Sequence, residues 1–177
     1  LENLDKYEER FHEAEENLKK SREELETVSY KLSVIRQKYS QMLTDKITEG
    51  LKDLNFLDVQ FQITFRRRKE YTAGGFDDIE YEISTNPGES LKPLGKIVSG
   101  GELSRIMLAI KAILADRDQI ETLIFDEIDT GISGRTAQKV SEKMAVIGRC
   151  HQVLCITHLP QIAAMADTHF EIEKHQK

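Results

Sequence analysis

Thr122-Leu123-Ile124-Phe125 runs straight into Asp126-Glu127, and Val153-Leu154-Cys155-Ile156 runs straight into Thr157-His158. Neither apolar stretch alternates as a half-wet strand does. Each therefore reads as a strand buried on both faces, in a parallel sheet covered by helices. Ligands of such sheets sit beyond the carboxyl ends of the strands, where this sequence delivers two carboxylates and a histidine. The expected class is α/β.

Upstream, Ser99-Gly100-Gly101-Glu102 opens an apolar helix carrying Leu103, Ile106, Met107, Ile110, Ile113 and Leu114. Ser99 and Glu102 have the spacing of a capping box, which accounts for both. It does not account for two glycines in a first helical turn, each costing about 1 kcal/mol against alanine. Bare N–H groups at the positive end of a helix dipole suit an approaching phosphate. Both readings stand, and Gly101→Asp separates them: a cap tolerates the acid, whereas an anion site is blocked by it.

Asp126 and Glu127 are followed by Ile128-Asp129-Thr130-Gly131-Ile132-Ser133-Gly134. An aspartate at a strand end beside phosphates holds Mg2+, and the next glutamate can deprotonate water. An ordinary solvated turn is the plain alternative. His158 precedes a helix expected to start near Pro160, on the edge that Asp126 occupies, as a candidate phosphate contact. The spacing of Cys150, His151, Cys155 and His158 matches no usual zinc ligand set.

Towards the N-terminus, Leu4, Tyr7, Phe11, Ala14, Leu18, Ser21, Leu25, Val28, Leu32, Ile35, Tyr39 and Met42 alternate spacings of three and four. That is a heptad seam over about six repeats, in a helix of roughly 60 Å. The irregular seam suits an antiparallel partner lying outside the chain; a helix lying on a globular core is the alternative. Thr48-Glu49-Gly50 is expected to break this helix. The period then changes to two: Val59, Phe61, Ile63 and Phe65, then Ile79, Tyr81 and Ile83, read as antiparallel strands joined at Gly74-Gly75. Arg66-Arg67-Arg68-Lys69 is expected as a solvated loop, with contact to a phosphate backbone as the second reading. Asn86-Pro87-Gly88 is a turn, and residues 91–98 read as a connecting loop.

The bulk properties agree with this division. The chain has 177 residues, 32% of them charged, and a formal charge of −6, which argues against a generally cationic nucleic-acid binder. Two cysteines are too few for a disulfide scaffold. No apolar run approaches the roughly 20 residues that span a bilayer. The first residue, Leu1, falls in mid-pattern, so the chain is expected to be part of a longer one.

Three stretches together, Val98 to Arg105, Leu123 to Gly134 and Ile156 to Ala163, resemble the C-terminal lobe of an ABC-type ATPase of the SMC class. Asn86-Pro87-Gly88-Glu89, and Asp129 to Gly134 in place of the usual Ala-Leu-Asp turn, resemble its bacterial DNA-repair branch. The resemblance implies an ABC/SMC-type P-loop NTPase C-terminal lobe over residues 48–177, with buried parallel strands, helices and an antiparallel strand pair. A long coiled-coil arm over residues 1–47 precedes it. It implies ATP and Mg2+ as cofactors. Ser99, Gly100, Gly101 and Glu102 become the signature closing in trans on ATP held by a second head. Asp126 becomes the Walker B magnesium residue, Glu127 the general base, Asp129 the D-loop residue at the head–head interface, and His158 the switch histidine.

No G-x-x-x-x-G-K-[ST] occurs in the sequence; in this family it lies in an N-terminal lobe beyond the coiled coil. The implied partners are that lobe with its antiparallel strand, a second head in an ATP-dependent homodimer, and DNA, with no membrane. The implied setting is the bacterial cytoplasm and nucleoid, and the chain alone is expected to be inactive. A non-hydrolysing SMC-type scaffold is the rival from another class. A transporter's ATPase is disfavoured by the heptad arm.

Overall fold

The computed structural model describes residues 2–97, 99–117 and 119–173, with side chains from Lys6 onward. The Leu4 side chain of the seam, Val98 of the signature stretch and residues 174–177 of the expected lobe lie outside the described residues. The chain divides into two compact units, one formed by Leu1–Met42 with Ile63–Glu80 and the other by Leu43–Gln62 with Tyr81–Lys177.

Helix α1 runs from Glu2 to Asp53, 52 residues, roughly 78 Å at 1.5 Å per residue. It passes through Gly50 without a break, correcting the expected stop at Thr48-Glu49-Gly50. Gly50 is buried, with Ala109 Cβ and Ile113 Cδ1 each 3.7 Å from where its own Cβ would stand. Ile47, Leu51 and Leu54 are buried beside it, so tertiary packing outweighs a helix-propensity cost of about 1 kcal/mol. The helix stops at Asn55, at φ 71°. There Phe56 N–H donates to Leu51 O (3.2 Å) and Asn55 N–H to Lys52 O (3.1 Å). This is a Schellman motif with asparagine in the left-handed position.

In the first unit most of the heptad seam stays exposed: Tyr7, Phe11, Leu18, Leu25, Val28, Ile35, Tyr39 and Met42 face solvent, while Leu32 is half-buried. A polar face of α1, carrying Glu26, Ser29, Ser33 and Arg36, holds the hairpin instead. Ser33 Oγ donates to Asp77 (2.7 Å), and Arg36 donates to Asp77 (2.9 Å) and to Gly74 O (2.8 Å).

The hairpin consists of β1 (Gln60–Thr72) and β2 (Gly75–Ser84), with Gly75 at φ 86° in its turn. Arg66, Arg67 and Arg68 lie inside β1, not in a loop. They pair with Glu80 (3.5 Å), Glu26 (2.7 Å) and Asp78 respectively. The cluster is therefore a row of cross-element ion pairs.

In the second unit, Asn86-Pro87-Gly88-Glu89 closes a turn through Glu89 N–H to Asn86 O (3.3 Å), with Gly88 at φ 79° as a type II turn requires. The 91–98 segment is not all loop. Strand β3 (Lys92–Pro93) adds to β2 with Ile83 opposite Lys92, and a 3-10 turn follows at Leu94–Lys96.

Helix α2 (Gly100–Leu114), β4 (Thr122–Phe125), α3 (Gly134–Ile147), β5 (Gln152–Cys155) and the short turn α4 (Pro160–Ala163) complete the unit. Strands β4 and β5 pair in parallel, Thr122 opposite Gln152 through Phe125 opposite Cys155. Burial on both faces is not observed. Phe125 is buried, but Ile124 is 68% exposed, and Leu154 and Ile156 are exposed on the same side. A parallel pair wants cover on two sides. Among the described residues, the elements of this chain supply one.

Candidate active site

The parallel register settles which residues share an edge. Asp126-Glu127 leave β4 where Thr157-His158 leave β5, and Ile156 N–H donates to Phe125 O (3.0 Å) just before them. Pro160 opens the helical turn two residues after His158, behind the N-cap Leu159, as its fixed φ favours.

Asp129, which the family resemblance makes a D-loop residue at the head–head interface, is 4% exposed in this chain. Its Oδ2 accepts from Thr157 Oγ1 (2.6 Å) and His158 N (2.8 Å) and faces His158 Nδ1 (3.0 Å). Burial works to raise this carboxyl. The Thr157 hydroxyl, the His158 amide and the His158 ring outweigh it, and the group sits below the ordinary carboxylate range. The loop after β4 is thus tied to the loop after β5 by one buried acid.

Glu127 sits at φ 54°, a left-handed conformation uncommon for a residue with a side chain. Such strain costs about 1–3 kcal/mol and collects at functional sites. Its amide donates to Asp126 Oδ1 (2.8 Å), and its carbonyl accepts from Thr130 N–H (3.0 Å), closing a turn.

That turn rests on the start of α2. Ser99 is the N-cap and accepts from Glu102 N–H at 3.4 Å, the serine half of the expected capping box. The glycines have a second reason to be there. A Cβ on Gly100 would overlap the Glu127 carboxylate, and one on Gly101 would stand 2.9 Å from Glu127 O and 3.1 Å from Thr130 Cβ. Gly101→Asp therefore no longer separates cap from anion site, because any side chain at 101 strikes backbone. The end of α2 already has an anion of its own chain over Gly100, and a second anion there would meet like-charge repulsion.

Two residues on α2 that the sequence reading passed over anchor the loop. Ser104 Oγ donates to Asp126 O (2.7 Å). Arg105, buried at 8% exposure, donates from Nη1 to Thr130 O (2.9 Å) and Ile128 O (3.4 Å), while its Nε has no hydrogen-bond partner. Desolvation lowers the Arg105 pKa, opposed by the charge of Glu102. A charge in helical register with the buried Gly101 and Ala109 was the available signal. Thr157, the third residue missed, carried none beyond its place at the strand end.

His151 has its ring nitrogens 2.6 Å from Ile120 O and 2.9 Å from Ala115 O, spanning loop and helix end. Desolvation, with Asp129 and Asp126 nearby, pushes the Cys155 thiol up to about 11.

The donors present fit part of a magnesium–phosphate site. Asp126 offers an exposed hard carboxylate at a strand end, and Mg2+ characteristically takes one or two carboxylates with water and phosphate oxygens. Nothing in the sequence cradles the α- and β-phosphates, since no G-x-x-x-x-G-K-[ST] is present.

The fold is that of part of an Smc head domain with its coiled-coil helix. An Smc head domain from Pyrococcus furiosus, with an extended coiled coil and bound to the C-terminal domain of ScpA, matches with a TM-score of 0.57. The identity is 20%, over 86% of this chain and 36% of that one. An Smc head domain with a coiled coil and joint from Pyrococcus yayanosii matches at 0.52 and 21%, over 75% of this chain and 24% of that one.

In sequence the chain is RecN-like. It is 46% identical over 171 residues to the DNA repair protein RecN of Halalkalibacterium halodurans, covering 94% of this chain and 30% of the relative. It is 45% identical over 161 residues to RecN of Bacillus subtilis (82% and 28%), and 38% over 169 residues to RecN of Haemophilus influenzae (93% and 30%). The chain thus spans less than a third of the length of these curated relatives. No protein-family model matches it.

Proposed function

We propose that this chain is the arm and C-terminal head lobe of an SMC-like ATPase acting in DNA double-strand break repair, with ATP bound between two heads and hydrolysed there. The observation that carries the reading is the shared edge. Asp126-Glu127 and Thr157-His158 leave neighbouring parallel strands in register, and the glycine-led end of α2 lies beside Glu127. The role in repair rests on the resemblance to RecN, named a DNA repair protein.

In this reading Asp126 holds Mg2+, which neutralises phosphate charge when bound. Glu127 takes the proton of the attacking water on its carboxylate. His158 faces the γ-phosphate, and Asp129 belongs to the D-loop. Ser99, Gly100, Gly101 and Glu102 close in trans on ATP held by a second head. For a phosphate to meet that turn, the Glu127 carboxylate lying over Gly100 must move away, so head closure and redirection of the base are one event.

The exposed heptad seam suits an antiparallel coiled-coil strand. The open face of Ile124, Leu154 and Ile156 suits an N-terminal lobe bearing the phosphate-binding loop. In this reading residues 1–47 are the arm and residues 48–177 the head lobe. DNA is engaged by the whole protein, in the bacterial cytoplasm at the nucleoid, and the chain alone neither binds ATP tightly nor turns it over.

The test is Glu127→Gln in the full-length protein, which preserves shape and hydrogen bonding but cannot accept a proton. ATP binding persists, turnover falls by more than about tenfold, and closed head dimers accumulate. A smaller loss of turnover removes Glu127 as the base.

A further inference from the structure

We infer that Asp129 is a positioning residue for His158, fixing which ring nitrogen carries the proton and which is presented outward. The inference rests on the reading of His158 as the phosphate-facing residue, and it concerns how this chain makes the histidine fit for that task.

Three contacts converge on one oxygen. Asp129 Oδ2 accepts from the Thr157 hydroxyl (2.6 Å) and the His158 amide (2.8 Å) and faces His158 Nδ1 at 3.0 Å. The acid is almost wholly buried, while the His158 side chain is 75% exposed. Thr157 Oγ1 also accepts from Leu159 N–H (3.1 Å), so the backbone on both sides of the histidine is held. The imidazole is the exposed end of a buried anchor.

An ionised carboxylate only accepts, and Asp129 is held below the ordinary carboxylate range. The proton facing it therefore sits on Nδ1, and Nε2 is the pole aimed outward. A neutral ring held this way shows a bare lone pair at Nε2, which can accept from water but cannot donate to a phosphate oxygen. Donation to a phosphate oxygen requires the second proton. One buried carboxylate thus decides both the direction of the ring and the chemistry of its free nitrogen.

The experiment has one arm that needs no ATPase activity. Long-range 1H–15N correlation of histidine-labelled 177-residue chain, with His158 assigned by loss of its signals in His158→Gln, reports the protonated nitrogen directly. Nδ1 carries the proton in the wild type and in Thr157→Val. In Asp129→Ala the ring reverts to the Nε2–H form favoured by free imidazole. A wild-type His158 with bare Nδ1 overturns the inference, and this result stands even if Asp129→Ala fails to fold.

In the full-length protein, Asp129→Ala lowers kcat by about ten- to a hundred-fold, the range for loss of an orienting partner. KM for ATP changes little, and Asp129→Ala/His158→Ala is no worse than His158→Ala alone. Additive losses would make Asp129 a structural residue only. If His158→Ala itself leaves turnover intact, the phosphate-facing role fails, while the tautomer result still stands or falls by itself.

Discussion

Charge is used in opposite ways in strand β1 and in the loop after β4. In β1, Arg66, Arg67 and Arg68 are exposed, and each has a carboxylate of its own. Around the loop, Arg105 and Asp129 are buried and serve several groups each, Arg105 two main-chain carbonyls and Asp129 an amide, a hydroxyl and a ring. Exposed pairs are screened and contribute little. A buried charge that loses its partners is expensive to keep. The conspicuous arginine run is therefore the energetically quiet one, and the single arginine inside an apolar helix sets the shape of the site.

Replacing Arg105 tests that contrast most severely. Arg105→Met keeps much of the volume and the contact with the Phe56 ring, 5.5 Å from the guanidinium, but strips Ile128 O and Thr130 O of their donor. One buried carbonyl, Ile128 O, and one part-buried one, Thr130 O, left without that donor cost about 2–4 kcal/mol together, so thermal denaturation should show a fall in Tm of about 5–12 °C. A loss under about 2 °C would mean that the loop holds its shape without the arginine, and the contrast with β1 would collapse.

The two glycines sharpen it next, because they differ in what a methyl group would strike. At Gly101 a Cβ meets the Glu127 carbonyl at 2.9 Å and Thr130 Cβ at 3.1 Å, neither of which can turn aside. At Gly100 it meets only the end of the Glu127 side chain, which can. Gly101→Ala should lower Tm by about 2–6 °C, since overpacking outweighs the helix-propensity gain of about 1 kcal/mol. Gly100→Ala should leave Tm unchanged or slightly raised. Equal effects at the two positions would show that the loop does not rest on α2 as described.

These contrasts explain what was legible in the sequence. The heptad seam, the parallel pair, the Ser99 cap and the start of α4 at Pro160 each rest on local pattern or on a neighbour a few residues away. Gly50 misled because its environment, Ala109 and Ile113, is about sixty residues off. The arginine triplet misled because its partners Glu26, Asp78 and Glu80 come from other strands and helices. The apolar runs of β4 and β5 recorded a surface that wants covering but not which element covers it, and Ile124 lies open. Asp129 was singled out through the family resemblance, as a D-loop residue, and the direction of its side chain depends on Thr157 and His158 arriving from β5.

The smallest effect belongs to the arginines of β1, and it decides between an ion-paired strand and a phosphate contact. If Arg66 and Arg68 bound a DNA backbone, each would displace condensed counterions. Arg66→Gln/Arg68→Gln would then flatten the salt dependence of DNA binding by the full-length protein by about two units of slope. In the structure Arg68 is committed to Asp78 and Arg66 to Glu80, so a phosphate would have to compete with a carboxylate already in place. The double variant should therefore leave both the salt slope and the Tm of the chain unchanged within error, exposed pairs of this kind being nearly neutral to stability. A slope reduced by two with Tm unaltered would assign the strand to nucleic acid, and the distinction between quiet and site-shaping charges would then have to be redrawn.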